Sequence, residues 1–234
     1  MPDFQTVYAQ HAEQYDALVD HEDWEGAIER KLQEIRPLKD LDVVEFGAGT
    51  GRLTLLLAPH VRSLRIFDAS QHMLDRAIAK LQRGGFSHWE AQVADNRAVP
   101  AADASADLAI SGWSFGHMTD WYPDTWRDEV TLALRELLRV LRPDGTAVLL
   151  ETLGTGRETP QPPTAALAEY YAMLEQQFGF SSDWIRTDYR FDSATEAAVT
   201  TSFFFGTAMP AMVQPSGHAI VPECTGVWWF TRSA

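Results

Sequence analysis

The chain has 234 residues, 45% of them hydrophobic, which fits one α/β domain with short additions and supports a real core. Its formal net charge of −14 disfavours nucleic acid and anionic membrane surfaces, since both need concentrated Lys and Arg. Cys224 is the only cysteine, no apolar run is long enough to span a bilayer, and no charged-then-apolar leader opens the chain, so a cytoplasmic protein acting on a small molecule is expected.

The opening stretch from Phe4 to Asp16 carries apolar and aromatic residues at helical spacing. Tyr8 and Tyr15 lie seven apart and share one helix face, as a pocket lid or as a core-facing stripe. A second helix is expected from Trp24 to Ile35, stopping before Pro37. Residues 1–36 are therefore read as a helical lid on a single domain, 1–234.

The run Val43-Val44-Glu45-Phe46-Gly47-Ala48-Gly49-Thr50-Gly51 reads as a strand, a tight turn and a helix start at Arg52. Glycines there let backbone approach a nucleotide closely, and a helix start offers free N–H groups to a carboxylate or phosphate. Arg52 stands where a dinucleotide fingerprint wants its third glycine, and no Gly-Lys-Ser/Thr ending is present. Glu45 suits the amino group of an amino-acid-bearing ligand. A second strand, Ser63 to Phe67, ends at Asp68, 17 residues beyond Gly51, where an acid can accept both ribose hydroxyls. Ser70 caps a helix from Gln71 to Arg83.

Val93-Ala94-Asp95-Asn96 ends a third strand, and Asp107 to Ser111 forms a fourth that enters Gly112-Trp113-Ser114. A long helix from Pro123 to Leu141 leads through the turn Arg142-Pro143-Asp144-Gly145 to a fifth strand, Thr146 to Leu150. Glu151 and the glycine turn Thr152 to Gly156 follow at the carboxyl edge of the sheet, where ligands bind in open α/β folds. A helix ending near Phe178, a strand from Asp183 to Phe191, a helix from Ala194 to Phe205 and a last strand from Thr225 to Thr231 complete the pattern. Gly206 to Pro222, with three prolines, reads as irregular.

The pattern Glu45-x-Gly47-x-Gly49-x-Gly51, with Asp68 and Asp95 closing later strands, resembles the class I S-adenosylmethionine (SAM)-dependent methyltransferases. Tyr8 and Tyr15-Asp16 resemble the N-terminal signature of the small-molecule ubiquinone/menaquinone-type group (methyltransferase domain 11/25-like). The resemblance implies a Rossmann-like three-layer αβα sandwich. Its seven-stranded, mostly parallel sheet would have the order 3-2-1-4-5-7-6, with strand seven antiparallel. It further implies SAM held by Glu45, Gly47, Ala48, Gly49, Gly51, Asp68, Ala69, Met73, Asp95, Asn96 and Gly112, with Tyr8 and Tyr15 closing the site.

Methyl transfer to a small-molecule acceptor, releasing S-adenosylhomocysteine (SAH), rests mainly on positioning and desolvation. Trp113, His117, Glu151, Thr152 and Tyr171 are the candidate acceptor contacts, with His11 a further position to consider. His117 is the candidate base, and Trp113 and Tyr15 would position the reactants. Trp113 would also offer an aromatic face to the sulfonium, and Arg52 could approach the SAM carboxylate. Two alternatives stay open: a SAM- or SAH-binding protein without turnover, and a nicotinamide-dependent oxidoreductase, which Arg52 weakens. The seven histidines show no zinc spacing, so no metal is expected. Phe203-Phe204-Phe205 and Trp228-Trp229 are either core or the surface of a homodimer.

Overall fold

A computed structural model describes residues 12–233. The first described helices are α1 (Ala12–Val19) and α2 (Ala27–Ile35). Strand β1 (Asp42–Phe46) leads to α3 (Arg52–Leu57), β2 (Ser63–Asp68), α4 (Gln71–Arg83), β3 (Trp89–Val93) and β4 (Ala106–Gly112). A single 3-10 turn (Phe115–His117) and the short α5 (Met118–Trp121) precede α6 (Trp126–Arg139) and β5 (Leu141–Thr155). The chain finishes with α7 (Ala165–Gln176), β6 (Ser181–Arg186), β7 (Tyr189–Phe191), α8 (Ala194–Phe205), β8 (Met212–Val213), β9 (Ala219–Val221) and β10 (Glu223–Thr231).

Seven strands form one sheet in the order β3-β2-β1-β4-β5-β10-β6. Every pair from β3 to β5 is parallel, and β10 runs antiparallel between β5 and β6. The fold is Rossmann-like, with the expected order and the expected antiparallel last strand. Successive residues of β1 point to opposite faces. Val43 packs with Ile28, Leu32, Leu53, Leu57, Leu74 and Leu81 of α2, α3 and α4. Val44 and Phe46 pack with Val130, Leu134, Leu137, Tyr170 and Leu174 of α6 and α7. Both faces are buried, as an all-parallel centre requires, so β1 and β4 are nearly continuous apolar runs.

A second layer of structure covers the carboxyl edge. Strands β7, β9 and β8 make a small antiparallel sheet. Tyr189, Phe191, Ala219 and Val221 from it pack with Phe204 of α8 and Leu18 of α1. Helix α1 is also pinned to α4, because the buried Asp16 carboxylate takes 2.7 Å bonds from both Arg76 and Lys80.

Several boundaries depart from the sequence expectations. The second helix begins at Ala27, not Trp24, because the Asp23 carboxylate caps Ala27 N at 2.7 Å and Ile28 N at 3.0 Å. The long helix spans Trp126–Arg139, and Leu141 already belongs to β5. The strand expected from Asp183 to Phe191 is two strands that part at Thr187 and Asp188, because β6 joins the main sheet and β7 the small one. Gly206 to Pro222, read as irregular, contains the β8–β9 hairpin, closed by Gln214 N to His218 O and Gly217 N to Gln214 O bonds. The expected glycine turn from Thr152 to Gly156 is largely strand: β5 runs on to Thr155, opposite Glu223, through a register shift in β10. Gly154 (φ 122°) adopts the conformation that this shift requires. No helix among the described residues is long and apolar enough to cross a membrane.

Candidate active site

The turn after β1 is built on positive-φ glycines, and each faces something different. An added Cβ on Gly47 (φ +63°) would sit 2.0 Å from Ser114 Oγ. At Gly49 (φ +57°) it would meet nothing closer than Met73 Cε at 3.7 Å, so this glycine borders free space. At Gly51 (φ +93°) it would press on Ala77 of α4 at 3.1 Å. Gly49 thus lines the mouth of the turn. Gly51 is the close-packing point of α3 on α4. Gly112 is similar, since its added Cβ would strike Leu53 Cδ1 at 2.7 Å. Ala48 is buried and donates its N–H to Phe67 O at 2.9 Å, tying the turn to β2.

Asp68 ends β2 beneath this turn. One carboxylate oxygen accepts from Gly49 N and the other from Ser70 N, both at 2.8 Å. Burial raises its pKa, and the two N–H groups oppose that rise. Each oxygen keeps a lone pair for a further donor. Ser70 also caps α4 by accepting from Met73 N at 3.3 Å, while Ala69 between them is exposed. Met73 is buried and lies along the glycine turn. Asn96 donates to Ser114 Oγ at 2.9 Å, and its buried Oδ1 has no hydrogen-bond partner among the described residues. Asp95 is instead claimed by Arg97, whose guanidinium bonds both its oxygens.

Glu45 lies in β1, two residues before the first glycine of the turn. It is buried and accepts from Thr54 Oγ1 at 2.6 Å, and burial pushes its carboxyl up to about 8. Tyr15 of α1 packs edge-on against Phe204 at 6.1 Å and lies within the fields of Arg52, Glu22, Asp68 and Asp16. Burial pushes its hydroxyl up to about 12, so it stays protonated. Tyr8 and His11 lie outside the described residues.

On the acceptor side, Trp113 takes a left-handed backbone (φ 49°) as it leaves β4, and its N–H bonds Leu150 O at 2.7 Å. Strain of this kind, held by a ladder bond, marks functional turns. The guanidinium of Arg52 stacks 3.4 Å above its ring, taking an aromatic face that the sequence reading offered to a sulfonium. His117 stacks on Trp121 at 5.1 Å and bonds the Trp113 backbone. Burial lowers its pKa to about 4, which leaves it neutral and a weak base. Glu151 is buried and accepts from Gly116 N at 2.9 Å, and burial pushes it up to about 8. It anchors the turn that carries His117. Tyr171 donates to Thr152 O at 2.8 Å and stacks on Trp228, so its ring belongs to the core. Thr152 Oγ1 donates to Glu223 Oε1 at 2.9 Å.

Two charged residues at this edge, Glu22 and Glu223, were not among the expected site residues. Glu22 forms an ion pair with Arg52 at 2.6 Å and accepts from Thr187 Oγ1 at 3.2 Å. Glu223 lies beside them, buried at the start of β10. The one signal for Glu223 in the sequence was an acid set against the apolar run that ends the chain. Among the described residues no group of His, Cys, Asp and Glu is arranged to hold a metal ion.

Residues 44–149 match the family model of a methyltransferase domain. A match to a methyltransferase domain therefore covers the centre of the chain. The chain is 28% identical over 151 residues to the ubiquinone/menaquinone biosynthesis C-methyltransferase UbiE of Rubrivivax gelatinosus, covering 62% of this chain and 54% of that protein. It thus spans about half the length of that relative. It is also 28% identical over 221 residues to the demethylmenaquinone methyltransferase of Lactobacillus johnsonii, covering 92% of this chain and 83% of the relative. Among solved structures, the 4+2 cyclase SpnF superposes with a TM-score of 0.61 at 18% identity, over 98% of this chain and 95% of that one. Asp68, Asn96 Oδ1 and the free space at Gly49 suit a ligand rich in O–H and N–H donors, as SAM is.

Proposed function

We propose that the protein transfers a methyl group from SAM to a small-molecule acceptor and releases SAH. The observation that carries this reading is Asp68, half-buried under the glycine turn with a lone pair on each oxygen still available. When bound, SAM supplies an electrophilic methyl on a positively charged sulfur. Gly47 and Gly49 would let the ligand lie against the main chain, Asp68 would hold the ribose hydroxyls, and Asn96 would take a donor from the adenine side. Met73 would pack along the base. Helix α1, latched by Asp16 to α4, would act as the described part of a lid, with Tyr15 over the mouth.

A small-molecule acceptor agrees with the quinone-type names of the relatives and with a net charge of −14, which repels nucleic acid. Desolvation and alignment carry most of the rate of such a transfer. The cyclase SpnF shares the fold, so methyl consumption itself has to be measured.

Calorimetric titration of the wild type and Asp68→Ala with SAM, SAH and NADH tests the reading. SAM and SAH should bind the wild type, NADH should not, and Asp68→Ala should weaken SAH roughly 100-fold through loss of two charge-assisted bonds. NADH heat alone would overturn the proposal. SAM binding without SAH formation across an acceptor panel would leave a binding protein in place of an enzyme.

A further inference from the structure

Helix α4 gathers positive charge that the rest of the chain lacks. The protein carries 33 acidic side chains against 19 Lys and Arg. On α4, His72, Arg76, Lys80 and Arg83 recur at intervals of one helical turn and share one face. Between that face and α1 lies a cleft of about 280 Å³. It is lined by these side chains, by Ala79 among them and by Asp16 from α1. Neither Gly49 nor Asp68 of the donor mouth lines it.

The carboxylates around this cleft are already engaged. Buried Asp16 takes 2.7 Å bonds from Arg76 Nε and Lys80 Nζ. Asp75, which also lines the cleft, accepts from Gln71 Nε2 at 2.7 Å. Glu13 reaches Arg76 only at 3.5 Å and Asp20 reaches Lys80 only at 4.0 Å, and both acids are exposed, so water and salt screen them. The donors are less fully used. Lys80 Nζ bonds one acceptor of the three it can serve. Arg76 Nη2 has no partner among the described residues, and Arg83 makes neither a hydrogen bond nor an ion pair with any of them. The helix dipole favours Lys80 and Arg83 in the last turn of α4, yet His72 and Arg76 lie outside that turn.

We propose that this cleft binds a phosphate monoester. A phosphate dianion presents three acceptor oxygens on a tetrahedron, so Arg76 Nη2, Lys80 Nζ and the Arg83 fork each have one to bond. A carboxylate offers two oxygens in one plane and leaves part of that donor set unused. Asp16 holds two of the three cations in place before any ligand arrives, which lowers the ordering cost of binding. A phosphate group fills only part of the cleft, and the remainder suits a small organic body lying on Ala79 and on the aliphatic stems of the basic side chains. Arg76 and Lys80 would then bridge the phosphate to Asp16, tightening the hold of α4 on α1. The site stands apart from the donor mouth and does not depend on the methyltransferase reading.

Propyl phosphate and butyrate put the same alkyl chain on the two kinds of anion. Both are titrated calorimetrically at low salt into the wild type, Arg83→Gln and Arg135→Gln. The wild type should bind propyl phosphate about tenfold more tightly than butyrate. Arg83→Gln should weaken propyl phosphate about tenfold. Arg135→Gln removes the same charge from an exposed position on α6 and should hold the affinity within about twofold. Both arginines are exposed, so neither variant should disturb the fold. Propyl phosphate should also slow proteolytic cutting within 12–26 and should leave SAH binding in place. Equal weakening by the two variants would reduce the effect to net charge and overturn the proposal. So would an absence of binding, no preference over butyrate, unchanged cutting, or displacement of SAH, which would put the phosphate in the donor mouth.

Discussion

The donor half and the acceptor half of the carboxyl edge solve the same problem by opposite means. On the donor side, half-buried polar groups are satisfied by backbone close in sequence: Asp68 by Gly49 and Ser70, and Ser70 by Met73. On the acceptor side they are satisfied by side chains from distant segments: Glu22 with Arg52 and Thr187, Thr187 with Thr225 at 2.6 Å, and Thr152 with Glu223. A site made of local turns survives as long as its strand–turn–helix units form. A site made of long-range pairs exists only when α1, the small sheet and the main sheet have all docked. The acceptor half should therefore be the more fragile, and the more free to change chemistry without loss of the donor site.

The sharpest break is Arg52→Ala. It leaves the buried Glu22 carboxylate without its cation and strips the face of Trp113. Breaking one partner of such a pair costs about 3 kcal/mol. Chemical denaturation should show that loss, and the double variant Arg52→Met/Glu22→Gln should recover part of it. A cost below about 1 kcal/mol would mean that the acceptor half is as loosely held as an exposed ion pair.

Next in size is Gly47→Ala on the donor side. Its Cβ would lie 2.0 Å from Ser114 Oγ, on a backbone at φ +63°. The combined clash and left-handed strain should destabilise by about 2 kcal/mol and abolish SAH binding. In a Ser114→Gly background only the backbone penalty of about 1 kcal/mol should remain. Full additivity of the two substitutions would show that Gly47 is needed for φ alone and not for the approach of Ser114.

This contrast also explains what could be read in the sequence. The sheet order, the end of β2 at Asp68 and the Ser70 cap were legible because each depends on residues within one strand–turn–helix unit. The close packing of Gly51 against Ala77 and of Gly112 against Leu53 is visible only in the tertiary structure. Asp95 matched too, but Arg97, two residues on, takes both its oxygens. Glu22 and Glu223 carry no local pattern, because their partners lie 165 and 71 residues away. The β8–β9 hairpin was hidden for the same reason: two- and three-residue strands around prolines pair only once β7 is in place.

Glu151 tests the acceptor half through pH. Burial raises its carboxyl from 4.5 to about 8. The folded chain then keeps a proton that the unfolded chain gives up, so stability falls as pH climbs from about 4.5 to about 8 and levels off above. Glu45 and Glu223 slope the same way. Glu151→Gln keeps an oxygen for Gly116 N and removes one titration. Its stability should decline less steeply across that window, by up to about 1.4 kcal/mol per pH unit. Parallel curves for the two proteins would mean that the Glu151 carboxyl is ionised in the fold.

The smallest effect belongs to the latch that joins the two halves. Burial pushes the Asp16 carboxyl up, but bonds from Lys80, Thr50 and Arg76 together hold it below its ordinary value of 3.8. A depressed carboxyl stabilises the fold above its unfolded pKa and loses that contribution as pH falls through the folded one. The latch should therefore hold at neutral pH and loosen only below 3.8. Lys80→Gln removes one 2.7 Å bond while Arg76 keeps the other, so the global cost should be about 1 kcal/mol or less. The local cost should be larger, because α1 reaches the rest of the chain through this latch and the Leu18 and Phe204 packing. Limited proteolysis should cut within 12–26 faster in Lys80→Gln than in the wild type, while SAH protects the variant less. Equal cutting rates would place the hold on α1 in its apolar contacts, and the lid would then be a fixed part of the acceptor half.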